Sequence, residues 1–210
     1  MNLDWLQAQC RGFLSDLDPA DAAHDINHIR RVVKNVLYLT DIEGSNSLVT
    51  LPSAWLHDCV AVAKDSPLRS QGSRLAAEAA TEFLAGISYP DELLPEVFHA
   101  IEAHSFSAGI PTHSQEAAIV QDADRLDSLG AIGIARCLLV GGTLRLQLLS
   151  PDDPFCDQRE PDDSRFTIDH FYAKLFKLPQ TMKTEAGKAE ALRRARLMQK
   201  YLDDLRQEML

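Results

Sequence analysis

The sequence predicts an all-α protein built as an orthogonal helical bundle. Three observations carry that expectation. Apolar residues recur at three- and four-residue intervals along most of the chain. No two alternating segments stand out as a pair of strands. Glycine, proline and small polar clusters cut the periodic stretches into helix-sized lengths.

Taken in order, Ile26, Ile29, Val32, Val33, Val36 and Leu37 form one helical stripe within residues 26–39, and His28 lies beside it near the helix start. Gly44 and Ser45-Asn46-Ser47 interrupt the pattern. Residues 51–60 read as a short buried helix with His57-Asp58 at its end. Residues 64–72 are polar, contain Pro67 and Gly72, and read as a loop. An Ala-rich helix follows over 73–84 and stops at Gly86. Residues 92–104 form one helix, or two divided at Pro95. Thr112 and Gln115 have capping-box spacing and open a helix that carries Asp124 and Asp127. A further apolar helix covers 131–140 and stops at Gly141-Gly142. Residues 144–165 hold three prolines, many carboxylates and little periodicity. A loop that long must be mobile or held by contacts elsewhere. The C-terminal helices occupy 166–208: an amphipathic one over 166–178, ended by Pro179, then one capped by Thr184. With no internal repeat, residues 1–210 are expected to form a single domain.

Composition narrows the function classes. The chain is 45% hydrophobic and 25% charged, the balance of an ordinary globular protein. Its net charge of −10 argues against long nucleic acid as a partner, because phosphate binding needs a basic face. A small anionic substrate remains compatible, since a metal and a few basic side chains set the local field. The four cysteines form no paired motif, and Cys59 and Cys137 sit in apolar runs that suit small buried residues. The N-terminal residues do not resemble a secretion signal, and no apolar run reaches about 20 residues. The cytoplasm is the expected location, with no membrane partner.

His57-Asp58 is the feature that points to chemistry. It lies in Ala54-Trp55-Leu56-His57-Asp58-Cys59-Val60, an otherwise apolar stretch. A charge placed there needs a partner, and a divalent cation takes imidazole nitrogen and carboxylate oxygen together. Two stretches could complete such a site: residues 24–32, with His24 and His28, and residues 121–127, with Asp122, Asp124 and Asp127. Neighbours about 100° apart on a helix reach one ion only near a helix end, so the remaining ligands must come from other helices.

This order of His, His-Asp and Asp resembles the ligand set of the HD-domain metal-dependent phosphohydrolases. Further blocks are similar to the bacterial YpgQ/YedJ-like subgroup: Lys64-Asp65-Ser66-Pro67-Leu68-Arg69, Ala103-His104-Ser105-Phe106-Ser107, Asp122-Ala123-Asp124-Arg125-Leu126-Asp127 with the Gly130-Ala131-Ile132-Gly133 run, and His170-Phe171-Tyr172-Ala173-Lys174-Leu175. The resemblance implies His28, His57, Asp58 and Asp124 as ligands of one divalent ion (Mn, Mg, Fe, Co, Ni or Zn, with Mn favoured). It also implies a nucleotide substrate, with a nucleoside triphosphate cut to monophosphate and pyrophosphate. A 5'-nucleotidase, a two-metal phosphodiesterase using His99 and His104, and a non-catalytic nucleotide sensor are the alternatives.

Supporting residues are expected around this set. Asp65 and Lys64 follow the doublet in a loop, as candidates for proton transfer and phosphate binding. Related enzymes often carry a carboxylate four residues after the doublet histidine; here that position is Ala61, which shifts the role to Asp65 or Glu102. His104 is a candidate to contact substrate or a second ion. Arg69, Arg136, His170 and Lys174 are candidate substrate contacts, the last two placed on one helix face by their i, i+4 spacing. Phe106, Phe166 and Tyr172 are candidates to stack on a base.

Overall fold

The computed structural model describes residues 1–15, 26–60, 62, 66, 68–105 and 108–209. Among them are nine α-helices and no strand ladder; a lone bridge joins Gln147 and Phe166. Two compact units emerge, Met1–Asp124 and Arg125–Leu210.

The first unit is organised by α3 (Ser47–Leu56). Every residue from Val49 to Leu56 is buried, so the helix needs cover on all sides. That cover comes from α1 (Leu3–Ser15), α2 (Ile26–Glu43), α4 (Gly72–Gly86) and α5 (Leu94–Glu102). Helix α1 was not anticipated from the sequence; its inner face is Leu6 and Cys10. Helix α3 begins four residues before the expected start. The Asn46 side chain caps it, accepting from the Leu48 amide at 3.0 Å, and Pro52 is carried inside it. It also ends before the doublet, at Leu56. A short 3₁₀ turn, Asp91–Leu93, precedes α5, and Pro95 falls in the first turn of the helix instead of dividing it.

Helix α6 (Gln115–Leu126) is capped by Ser114, whose Oγ accepts from the Ala117 amide at 3.1 Å, and not by the anticipated Thr112. Asn35 Nδ2 donates to the Ala123 carbonyl at 3.0 Å and ties α2 to α6. Gln121 Nε2 donates to the Ala103 carbonyl at 2.7 Å and ties α6 to the end of α5. These buried bonds hold the segment that carries Asp124 against the one that carries His28 and against the end of α5, where His104 stands.

In the second unit, α7 (Gly130–Thr143) packs on α9 (Glu185–Met209). Helix α7 runs through Gly141-Gly142 instead of stopping there. Gly141 permits close approach: a Cβ on it would lie 2.2 Å from Thr167 Oγ1. The helix expected over 166–178 is two elements, α8 (Asp169–Ala173) and a 3₁₀ stretch, Leu175–Thr181, which holds Pro179 internally. Lys174 is the break between them, at φ −134° and ψ −55°. Thr184 caps α9 as expected, accepting from the Gly187 amide at 3.0 Å. The long irregular segment is held by contacts. Asp153 accepts from the amides of Asp157, Gln158 and Arg159, and Arg206 pairs with Asp157. Arg159 forms a two-point pair with the fully buried Asp169. All four cysteines are free; Cys59 is buried, while Cys137 is only half-buried. No single described helix is long and apolar enough to cross a membrane.

Candidate metal centre

Three helices end at the cluster. His57 is the C-cap of α3, with Asp58 next in the turn. His104 stands two residues beyond the end of α5, and Asp124 is in the last turn of α6. His28 arrives from the first turn of α2. The C-terminal end of a helix is the negative end of its dipole, so three such ends favour a cation between them.

The distances form one group. His28 Nε2 is 3.4 Å from His57 Nε2, 3.4 Å from Asp124 Oδ1 and 3.9 Å from Asp58 Oδ2. Asp58 Oδ2 is 3.6 Å from His57 Nε2, and Asp58 Oδ1 is 3.6 Å from His104 Nε2. The rings of His57 and His104 meet edge to face at 4.9 Å. One donor atom each from His28, His57 and Asp58 lies within 4.8 Å of the others. His57 is fully buried and forms the floor, while the side chains of Asp58 and Asp124 keep 41% and 29% exposure.

The donor chemistry tests whether this group fits a metal ion. His57 Nδ1 lies 2.8 Å from the Ala54 carbonyl, and His104 Nδ1 lies 2.6 Å from the Ile101 carbonyl. A carbonyl only accepts, so both Nδ1 atoms carry the proton, and in its neutral form each ring turns an Nε2 lone pair towards Asp58. Carboxylate oxygens and imidazole lone pairs then face each other at 3.6 Å. Acceptors facing acceptors are reconciled by a proton or by a cation, and this second-sphere fixing of Nδ1–H is the arrangement that metal-binding histidines use. The residues fit a divalent ion.

Electrostatics agree. Burial holds His57 below the usual imidazole range, although Asp58 pulls the other way, so its lone pair stays free. Burial would raise the Asp58 carboxyl, but the imidazoles of His57, His104 and His28 outweigh it and hold Asp58 well below the usual carboxylate range. Asp124 is lowered in the same way, burial being outweighed by the His28 contact and the charges of His57 and His104. His104 is raised: burial opposes its charge, but its bond to Asp58 and the Asp58 and Asp124 charges prevail.

Residues 25–129 match the family model described as the HD domain. The chain belongs to the HD-domain family. Its HD domain is part of a likeness that runs the length of the chain. An HD-superfamily hydrolase from Bacillus thuringiensis is 32% identical, superposes with a TM-score of 0.74, and is matched over 99% of this chain and 96% of its own. Bacillus subtilis YpgQ, solved in complex with ADP, is 26% identical with a TM-score of 0.72, over 98% and 94% of the two chains. By sequence alone YpgQ is 27% identical over 93% of this chain and 89% of its own. This HD-domain protein is a metal-dependent phosphohydrolase.

The other predicted site residues are distributed unevenly. Lys64, Asp65, Phe106, His24 and the side chain of Arg69 lie outside the described residues. Glu102, the last residue of α5, faces Arg74 Nη1 at 3.8 Å. Asp127 lies past the end of α6, not on its face, and accepts from Arg136. His170 Nδ1 is 2.8 Å from Asp163 Oδ2, and the break at Lys174 separates it from the α8 face that carries His170. Phe166 is buried beneath the guanidinium groups of Arg159 and Arg165, each 5.0 Å from its centroid. Tyr172 packs against Phe176. His104 is the residue whose place the sequence reading understated. Its signal is a histidine just past an apolar helix that donates Nδ1 to the carbonyl three residues back, as His57 does.

Proposed function

We propose that this HD hydrolase cleaves a nucleoside triphosphate between the α and β phosphates, releasing a monophosphate and pyrophosphate. In this reading His28, His57, Asp58 and Asp124 hold one divalent ion. Nitrogen and oxygen donors without thiolate suit Mn, Fe, Co, Ni or Zn, and the family likeness favours Mn. The observation that carries the nucleotide is the ADP complex of YpgQ, a neighbour that this chain matches over 98% of its length.

When bound, such an ion lowers the pKa of a water on it and polarises a phosphoryl oxygen. The chain's own residues do the rest. The Ala54 and Ile101 carbonyls lock the His57 and His104 tautomers. Buried His57 closes the floor, so substrate and water arrive past the more exposed Asp58 and Asp124. His104, with Nε2 3.6 Å from Asp58 Oδ1, stands beside the carboxylate and orients it.

A two-metal phosphodiesterase would draw on His99 as well as His104. His99 Nε2 instead accepts from the His113 amide at 3.0 Å, which commits that lone pair to the backbone. The test is product analysis over a nucleotide panel with added Mn. Pyrophosphate with monophosphate is expected. Release of orthophosphate alone, activity only on cyclic dinucleotides, or tight binding without turnover would overturn the reading.

A further inference from the structure

The second unit contains a cavity of about 340 Å³. That is within the roughly 300–1,000 Å³ range of small-molecule sites, and its walls have the expected character: mainly apolar, with a few convergent polar groups. Val140, Leu144 and Leu146 supply apolar wall, while Arg136, Asp163 and His170 supply the polar edge.

The charges at that edge decide the class of ligand. Arg136 is committed to Asp127: Nη1 donates to the carboxylate Oδ2 and, at 3.2 Å, to the Asp127 carbonyl. Asp127 is fully buried, so this pairing offsets part of the cost of burying its carboxylate. His170 is likewise matched by Asp163. The edge therefore holds no uncompensated cation: the guanidinium is ion-paired and the imidazole is hydrogen-bonded to a carboxylate. A phosphate gains little from such an edge, because the Arg136 field is cancelled within a few ångströms by Asp127, and Asp163 adds a carboxylate beside His170. What is left is directional hydrogen bonding: the outer face of a half-exposed guanidinium and the Nε2 of an imidazole whose Nδ1 is held. Apolar walls with a planar hydrogen-bonding edge match a flat, uncharged heteroaromatic ring.

We infer that this cavity binds the ring of a nucleobase, as a site that engages base and not phosphate. The choice of a nucleobase among heteroaromatic rings rests on the nucleotide reading above. Arg136 and His170 then act as ring contacts, not as the phosphate contacts their charges first suggest.

The experiment uses nucleosides, which carry no phosphate and cannot be hydrolysed. The full-length protein, labelled at Val and Leu methyl groups, is titrated with adenosine and with guanosine up to millimolar concentration. Shifts centred on the methyls of Val140, Leu144 and Leu146 are expected. Val140→Trp should weaken binding by about tenfold by filling the cavity. Val140 is more than half exposed, as is Leu144, so Leu144→Trp serves as a second variant, with unchanged methyl spectra elsewhere as the check on folding. Absence of shifts at these methyls with either nucleoside, or binding as tight as the parent's in both Trp variants, overturns the inference. Neither result touches the assay for pyrophosphate release, so this site can fail while the proposed activity stands.

Discussion

Replacing Asp58 with Asn tests the metal centre most directly, since the amide keeps the shape and one acceptor oxygen but removes the charge. The size of the effect follows from the geometry. Asp58 oxygens lie 3.6 Å from His57 Nε2 and 3.6 Å from His104 Nε2. At such a separation, opposite unit charges attract by about 4 kcal/mol at an effective dielectric near 20. The Asp58 side chain is 41% exposed, so water screens it and about half of that is a fair working figure, ~2 kcal/mol. A cation seated among these atoms should lose at least that much, or roughly 30-fold in affinity. Elemental analysis after dialysis against graded chelator should therefore show Asp58→Asn losing Mn well before the parent, with hydrolysis lost in parallel and helical content by circular dichroism unchanged. A second readout is the His104 imidazole in metal-free protein. Asp58 is what lifts it above the usual range, so its titration midpoint should fall in the variant. Equal metal retention, together with an unmoved His104 titration, would refute the placement of Asp58 at the centre.

Other perturbations test neighbouring parts of the argument. Arg159→Ala leaves the fully buried Asp169 carboxylate without its two-point partner and should cost about 3 kcal/mol in denaturant unfolding. Burial raises Asp169, but the Arg159 bonds and the Asp162 amide outweigh it and hold it below the usual range, so the pair stabilises above the unfolded carboxylate pKa and is lost as pH falls through the folded one. The deficit of the variant should accordingly shrink on acidification. Gly141→Val would drive a side chain into Thr167, and overpacking of about 1–3 kcal/mol should appear as a lower Tm. Chelation should lower the Tm of the parent, with about 2.7 kcal/mol at stake where free ion exceeds Kd by a hundredfold. Protonation of His104, whose pKa is raised, places a positive charge beside Asp58 and so beside the ion, and this loss should therefore be larger at mildly alkaline than at mildly acidic pH; an equal loss at both would show that the site does not titrate.

Much of this was legible in the residues themselves. The Ala-rich run of α4 and the Thr184 cap are local patterns, and each appears as expected because the information needed lies within a few residues; the stripe over 26–39 is helical and buried at Ile29, Val32, Val33 and Val36, while Ile26 and Leu37 stay exposed. The class of fold and the His57-Asp58 signal are of the same kind: a charged doublet at the end of an apolar run demands a partner whatever surrounds it. Several outcomes that departed from expectation depend on a distant neighbour. Gly141 reads locally as a helix stop, yet it lies within α7, and its missing side chain leaves the space that Thr167, far along the chain, occupies. Asp124 and Asp127 look equivalent three residues apart, but α6 ends between them, one meeting His28 and the other Arg136. Arg136 and His170 look available to a phosphate in sequence, but in space each is already engaged by a carboxylate, Asp127 and Asp163 respectively. Position along the chain determined which side chains bear chemistry. Only the packing of helix ends decided which of them share a dielectric and a charge, because Coulomb and desolvation energies depend on ångströms between atoms and not on residues between positions.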